Sequence, residues 1–227
     1  MEVASGERPL WGLDWKLSGT RSPSHGPMEE EGRVNVIRVI GGLAFVVLAS
    51  VGSNSLFGSA DAAADRYGEL PVAWRFDYPV GRPDAEGFYN AQGFGENFHL
   101  GEDWNIVGSA REDLGAPVHS VADGVVSAAV DMKGGWGNVV RVVHHIRENR
   151  RSFWVESYYA HLDEIHVEVG DAVRRGTTLG TIGDAHGVYL PHLHFEMRSA
   201  PDLPFGPGYS TVSDGYLDPS AFIDAHR

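Results

Sequence analysis

Four residues in two short stretches hold the chemistry that this sequence offers most plainly. "FHLGEDWN" (98–105) supplies His99 and Asp103, and "LPHLHFEMR" (190–198) supplies His192 and His194. Read as a strand, the second stretch sends both imidazoles out of one face, because side chains alternate along a pleated backbone. The chain has no cysteine, so a metal would have to be held by His, Asp or Glu. A hydrolytic zinc site needs three such ligands and one open position, and the two stretches together contain enough donors. Each pair alone also has a plainer reading. His99 and Asp103 could share a loop hydrogen bond, and His192 and His194 could be one satisfied histidine beside an exposed one.

The elements around these residues read as β. Candidate strands are "VVSAAVDM" (125–132), "NVVRVVHHI" (138–146), "SFWVESYYAHL" (152–162), "IHVEV" (165–169), "TTLGTIG" (177–183) and "HLHFEMR" (192–198), most of them separated by turns containing Gly or Asp. No long helical period lies between them. Short strands joined by tight turns point to an antiparallel sheet or sandwich. "YLDPSAFIDAHR" (216–227) reads as a closing short helix, with Asp218 as its cap and Pro219 in its first turn. His144 and His145, adjacent on a strand, must point to opposite faces and read as packing residues.

With 227 residues the chain suits one domain with appendages. Its 18 basic and 31 acidic residues leave a net charge of −13, which argues against nucleic acid or anionic lipid as partner. "VIGGLAFVVLASV" (39–51) is uncharged, follows Arg33 and Arg38, and precedes small residues, with Gly58 and Ala60 placed for cleavage before Asp61. That is the plan of a signal peptide. The alternatives are an uncleaved amino-terminal membrane anchor and a buried core segment.

Between the two donor stretches lies "YYAHLDEIHVEVGDAVRRGTTLGTIGD" (158–184). Taken together, the residues resemble the lysostaphin-type, or LytM-like, zinc metalloendopeptidases. The hallmarks of that family are a His-x-x-x-Asp segment, a Tyr-x-His-Leu strand end and a His-x-His-Phe strand. They stand here in order as His99 to Asp103, Tyr159 to Leu162, and His192 to Phe195. "GAPVHSVADGVV" (115–126), "GGWGN" (134–138), "VEVGDAVRRGTTLGTIG" (167–183) and "LDPSAF" (217–222) also resemble the family.

The resemblance implies a mainly β fold, an antiparallel sheet or sandwich of the LytM-like (duplicated hybrid motif) type with loops and a short C-terminal helix. It divides the chain into an N-terminal extension (1–60), a lead-in (61–89), a peptidase domain (90–222) and a tail (223–227). It also implies one zinc ion per chain, held by His99, Asp103 and His194, with His161 and His192 as catalytic groups beside the open coordination position. Tyr159, two residues before His161 and so expected on its face, is a candidate contact to substrate or oxyanion. The implied activity is hydrolysis of peptidoglycan stem or cross-bridge peptides through a metal-activated water, outside the cytoplasm. One rival is a non-catalytic LytM-like module that binds peptidoglycan or activates another wall hydrolase. A more distant one is a biotinyl-type carrier barrel modified at Lys133. Leu190 stands where family members usually have glycine, and with Tyr189 it is expected to narrow the cleft.

Overall fold

The structure, a computed structural model, describes residues 60–108 and 111–227. The apolar segment 39–51, with its signal-peptide or anchor reading, lies outside the described residues. Among those described, no helix is long and apolar enough to cross a membrane. In chain order the regular elements are α1 (Ala60–Tyr67), β1 (Phe88–Gln92), β2 (Glu102–Ile106), β3 (Pro117–His119), β4 (Gly124–Asp131), β5 (Asn138–Glu148), β6 (Arg151–Ile165), β7 (Ala172–Val173), β8 (Thr178–Ile182), β9 (Leu193–Arg198), β10 (Tyr216–Leu217) and α2 (Pro219–Ala225).

The expected mainly antiparallel β architecture is the one the chain adopts. The strands form one sheet in the order β1-β2-β9-β6-β5-β4-β7, with β10 on β9 and β8 bridging β6 to β3. Every pairing between these strands is antiparallel. β9 is buried along its whole length and has two faces of different character. Leu193, Phe195 and Met197 join Val140, Val142, Val155 and Tyr159 in the main apolar core. The alternate residues His194, Glu196 and Arg198 are also buried, but they are polar and face the other way.

That second face also carries the buried Arg141–Glu156 ion pair and a small apolar cluster of Val139, Tyr158 and Ala160 with Trp136 and Phe205 packed on it. α1 covers part of the same face, where Tyr67 packs with Val143 and Trp154. No strand was expected at β1, β2 or β3, and α1 was not foreseen. "IHVEV" is not a separate strand. β6 runs unbroken through Ile165, and the residues after it turn, with Asp171 N–H donating to the Glu168 carbonyl and Val169 exposed. The lead-in and the tail both contribute to the main core. Phe76 and Val80 from the first, and Ile223 from the second, are buried in the main core. The closing helix is as expected, with the Asp218 side chain accepting from Ala221 N and Pro219 in its first turn.

His144 and His145 do diverge. His144 packs edge-on against Phe76 in the core, whereas His145 stacks on Trp154. His144 Nδ1 donates to the Asp123 carbonyl and its Nε2 accepts from Ser157 Oγ. Burial keeps this ring neutral, its pKa pushed down from 6.5 to about 4. The unfolded chain therefore takes up a proton here as pH falls through 6.5, while the folded chain resists until about 4. Stability present above pH 6.5 is lost across that window, by about 3 kcal/mol in total. Urea midpoints measured between pH 7 and pH 4 are expected to fall accordingly, and His144→Asn to flatten the fall. An equally steep fall in the variant would place the acid sensitivity elsewhere.

Candidate metal centre

Asp103 on β2 lies opposite His194 on β9, so the two side chains leave the same face of the sheet. His99 reaches them from the tight turn Glu96–Phe98. Its segment is clamped by Leu100 N–H donating to the Gly208 carbonyl and Ser210 N–H donating to the Phe98 carbonyl. Gly101 allows that segment to lie against β9, since a Cβ there would stand 2.6 Å from the Phe195 carbonyl oxygen.

The three donor atoms form a nearly equilateral triangle. His194 Nδ1 is 3.0 Å from His99 Nε2 and 3.0 Å from Asp103 Oδ1, and His99 Nε2 is 3.3 Å from Asp103 Oδ1. A tetrahedral ion with bonds of about 2.0–2.1 Å spaces its ligands by about 3.3 Å. The triangle is one face of such a tetrahedron, so these residues fit a metal of that size. Their chemistry fits as well. Glu196 Oε1 lies 3.0 Å from His194 Nε2 and can only accept, which fixes the hydrogen on Nε2 and leaves Nδ1 free to ligate. His99 Nδ1 is buried with no hydrogen-bond partner among the described residues, so within them only the cluster itself engages this ring's polar atoms.

Electrostatics describe the same cluster in its metal-free form. Burial alone would push the His194 pKa down, but hydrogen bonds to Asp103 and Glu196, and their charges, outweigh it and raise the value to about 9. Burial likewise opposes ionisation of Asp103, yet hydrogen bonds and charge from His194 and His99 hold its carboxyl well below the usual range. A proton thus occupies the cluster at neutral pH, and a metal must displace it.

The open side of the triangle faces a cavity of about 300 Å³ lined by Trp136, His161, Tyr189, His192 and Tyr209, among others. His161 and His192 lie next to each other there, ring centroids 4.7 Å apart. Nδ1 of His161 is 3.3 Å from the Trp136 carbonyl, and Nδ1 of His192 is 2.8 Å from the Leu190 carbonyl. A carbonyl cannot donate, so each neutral ring carries its hydrogen on Nδ1 and keeps Nε2 as an acceptor. His192 Nε2 is 3.8 Å from Asp103 Oδ1, too far for a hydrogen bond. Burial, reinforced by His194 and His192, pushes the His161 pKa down to about 3 and keeps that ring neutral.

Two expected positions differ. Tyr159 does not reach the cavity. It is fully buried in the main core, its hydroxyl accepting from Val121 N–H, and burial pushes its pKa up to about 12. The reason is His161 itself, which has a φ of 62°. This residue stands where β6 stops pairing with β9 at Ala160 and starts pairing with β8 at Leu162. The left-handed backbone there breaks the alternation and swings the imidazole to the face opposite Tyr159. Leu190 is 75% exposed and does not line the cavity, whereas Tyr189 does. The tyrosine hydroxyl lies over Gly135, 2.7 Å from where a Cβ would stand.

Trp136, Tyr209 and Glu196 were not among the expected site residues. Glu196 was readable, since the period of two that pairs His192 with His194 continues to it. Tyr209 was not, because only the fold brings its ring to stack on His99 at 4.9 Å.

Residues 98–205 match the family described as Peptidase family M23. The cell division protein DipM of Caulobacter vibrioides is 36% identical over 129 residues, 57% of this chain and 19% of that protein. Glycyl-glycine endopeptidase ALE-1 of Staphylococcus capitis is 32% identical over 84 residues, 37% of this chain and 22% of that protein. The solved structure of the antimicrobial peptidase lysostaphin from Staphylococcus simulans aligns over 62% of this chain and 50% of its own, with a TM-score of 0.45 and 24% identity. The chain spans about a fifth of the length of these curated relatives. The matched segment contains His99, Asp103, His161, His192 and His194, so the candidate site lies wholly within the part of the chain that is similar to peptidase family M23.

Proposed function

We propose that this chain is a zinc-dependent endopeptidase that hydrolyses peptide cross-links of bacterial peptidoglycan outside the cytoplasm. The observation that carries the reading is the triangle of His99, Asp103 and His194, one side of it open to a cavity where two further imidazoles present free Nε2 atoms. Two neutral imidazoles and one carboxylate would leave a net positive charge on a divalent zinc, which supplies Lewis acidity toward a carbonyl oxygen and toward water. The imidazoles of His161 and His192 take the proton of the attacking water and return it to the leaving amine. Trp136, Tyr189 and Tyr209 hold an extended peptide in place and exclude bulk water. Names among the relatives, such as glycyl-glycine endopeptidase and peptidoglycan DD-endopeptidase, support this substrate class. Against the rival non-catalytic module, members of which typically lose ligands, stands the complete ligand set here.

Digestion of purified sacculi with the zinc-loaded protein is the test. Soluble muropeptides with cut peptides, identified by mass spectrometry and absent after chelation, are expected. Intact sacculi together with tight binding would establish the non-catalytic module instead.

A further inference from the structure

Below the ligand triangle lies a pair of charged residues that the reaction itself does not use. Glu196 and Arg198 are both fully buried. Glu196 Oε1 accepts from His194, while its Oε2 accepts from Arg198 Nε at 2.8 Å. The same guanidinium donates through Nη1 to the Pro204 carbonyl at 2.9 Å and lies over the Tyr158 ring at 4.3 Å. It also lies 5.3 Å from the centroid of the Tyr216 ring. The Tyr216 hydroxyl is seated against Gly206, only 1.8 Å from where a Cβ would stand. The segment held this way, 199–215, includes Pro207, Gly208 and Tyr209 of the cavity wall.

Arg198 therefore touches two parts of the site at once. Through Glu196 it fixes the orientation of the ligand His194, and through Pro204 it anchors the segment whose Tyr209 stacks on the ligand His99. Stability does not explain the pair, because buried ion pairs are seldom more stabilising than apolar residues of the same volume. We propose that Glu196 and Arg198 are a positioning pair that locks the metal centre and the Tyr209 wall of the cleft into one geometry. This rests on the metal reading of the His99, Asp103 and His194 cluster.

The two arms separate by substitution. Glu196→Gln keeps an acceptor for His194 but loses the charge that holds it against Arg198. Its zinc affinity, measured by competition with a chromophoric chelator, is expected to fall 10–100-fold, and the visible spectrum of its cobalt form to shift. Arg198→Lys keeps a cation beside Glu196 but cannot reach Pro204 as well. It should bind zinc within about threefold of the parent, raise KM for a cross-linked muropeptide and speed amide exchange across 199–215. If Glu196→Gln fails to fold, Glu196→Gln with Arg198→Met removes both charges and takes its place, with the same expected loss of affinity.

Unchanged zinc affinity and cobalt spectrum in the Glu196 variant overturn the metal arm. Unchanged KM and exchange in Arg198→Lys overturn the wall arm. A parent chain that binds no zinc overturns the metal reading and this inference together, whereas a zinc-binding parent matched by its variants overturns this inference alone.

Discussion

Asp103→Ala is expected to bind well below one equivalent of zinc and to lose peptidase activity to background. Asp103 is the only carboxylate of the triangle, and its Oδ1 is 3.0 Å from His194 Nδ1 and 3.3 Å from His99 Nε2. Removing it leaves two imidazoles and no ligand charge to offset a divalent ion. It also removes the group that orients both rings. The side chain lies at the edge of the cavity and not in the apolar core, so the urea midpoint should change little beside the loss of metal. His99→Ala should give the same phenotype. On the proposed reading, zinc bound by the parent would compete with the proton on His194, whose pKa is raised to about 9. Apparent affinity should therefore rise about tenfold per pH unit below that value and level off above it. Full zinc occupancy in either alanine variant would show that the triangle is not the binding site.

How far the sequence disclosed this arrangement depended on the kind of residue. Residues on regular strands were legible, because alternation along β9 places His192, His194, Glu196 and Arg198 on one side without further information. The same rule misplaced Tyr159. The rule assumes an extended backbone, and His161 has a left-handed one exactly where β6 changes partner. β2 went unrecognised although it carries Asp103. "EDWNI" opens with two acidic residues, and burial of Glu102 depends on partners as distant as Ser220, whose N–H donates to it. The core roles of 61–89 and of Ile223 were hidden for a similar reason. Phe76 reads as one aromatic in an irregular segment until Phe222 and His144 close around it. Tyr209 shows the limit most clearly, as no local pattern marks a tyrosine in a glycine- and proline-rich loop as a wall of the cleft.

His161→Ala and His192→Ala are each expected to retain one equivalent of zinc while turnover falls by about 10²–10⁴. The distinction from the ligand variants is geometric. His192 Nε2 stands 3.8 Å from Asp103 Oδ1, whereas the ligand atoms approach one another at 3.0–3.3 Å, so the His192 ring is beside the triangle and not a corner of it. His161 is held by the Trp136 carbonyl, with its Nε2 left as an acceptor toward the cavity. Burial, reinforced by His194 and His192, depresses its pKa to about 3 and keeps the ring neutral throughout the physiological range. With the two rings 4.7 Å apart, a proton taken by one is felt by the other. The double variant should accordingly be little worse than the poorer single variant, as for groups that act as a unit. Multiplicative losses would assign the two histidines to separate steps, and loss of zinc from His192→Ala would make that residue a ligand.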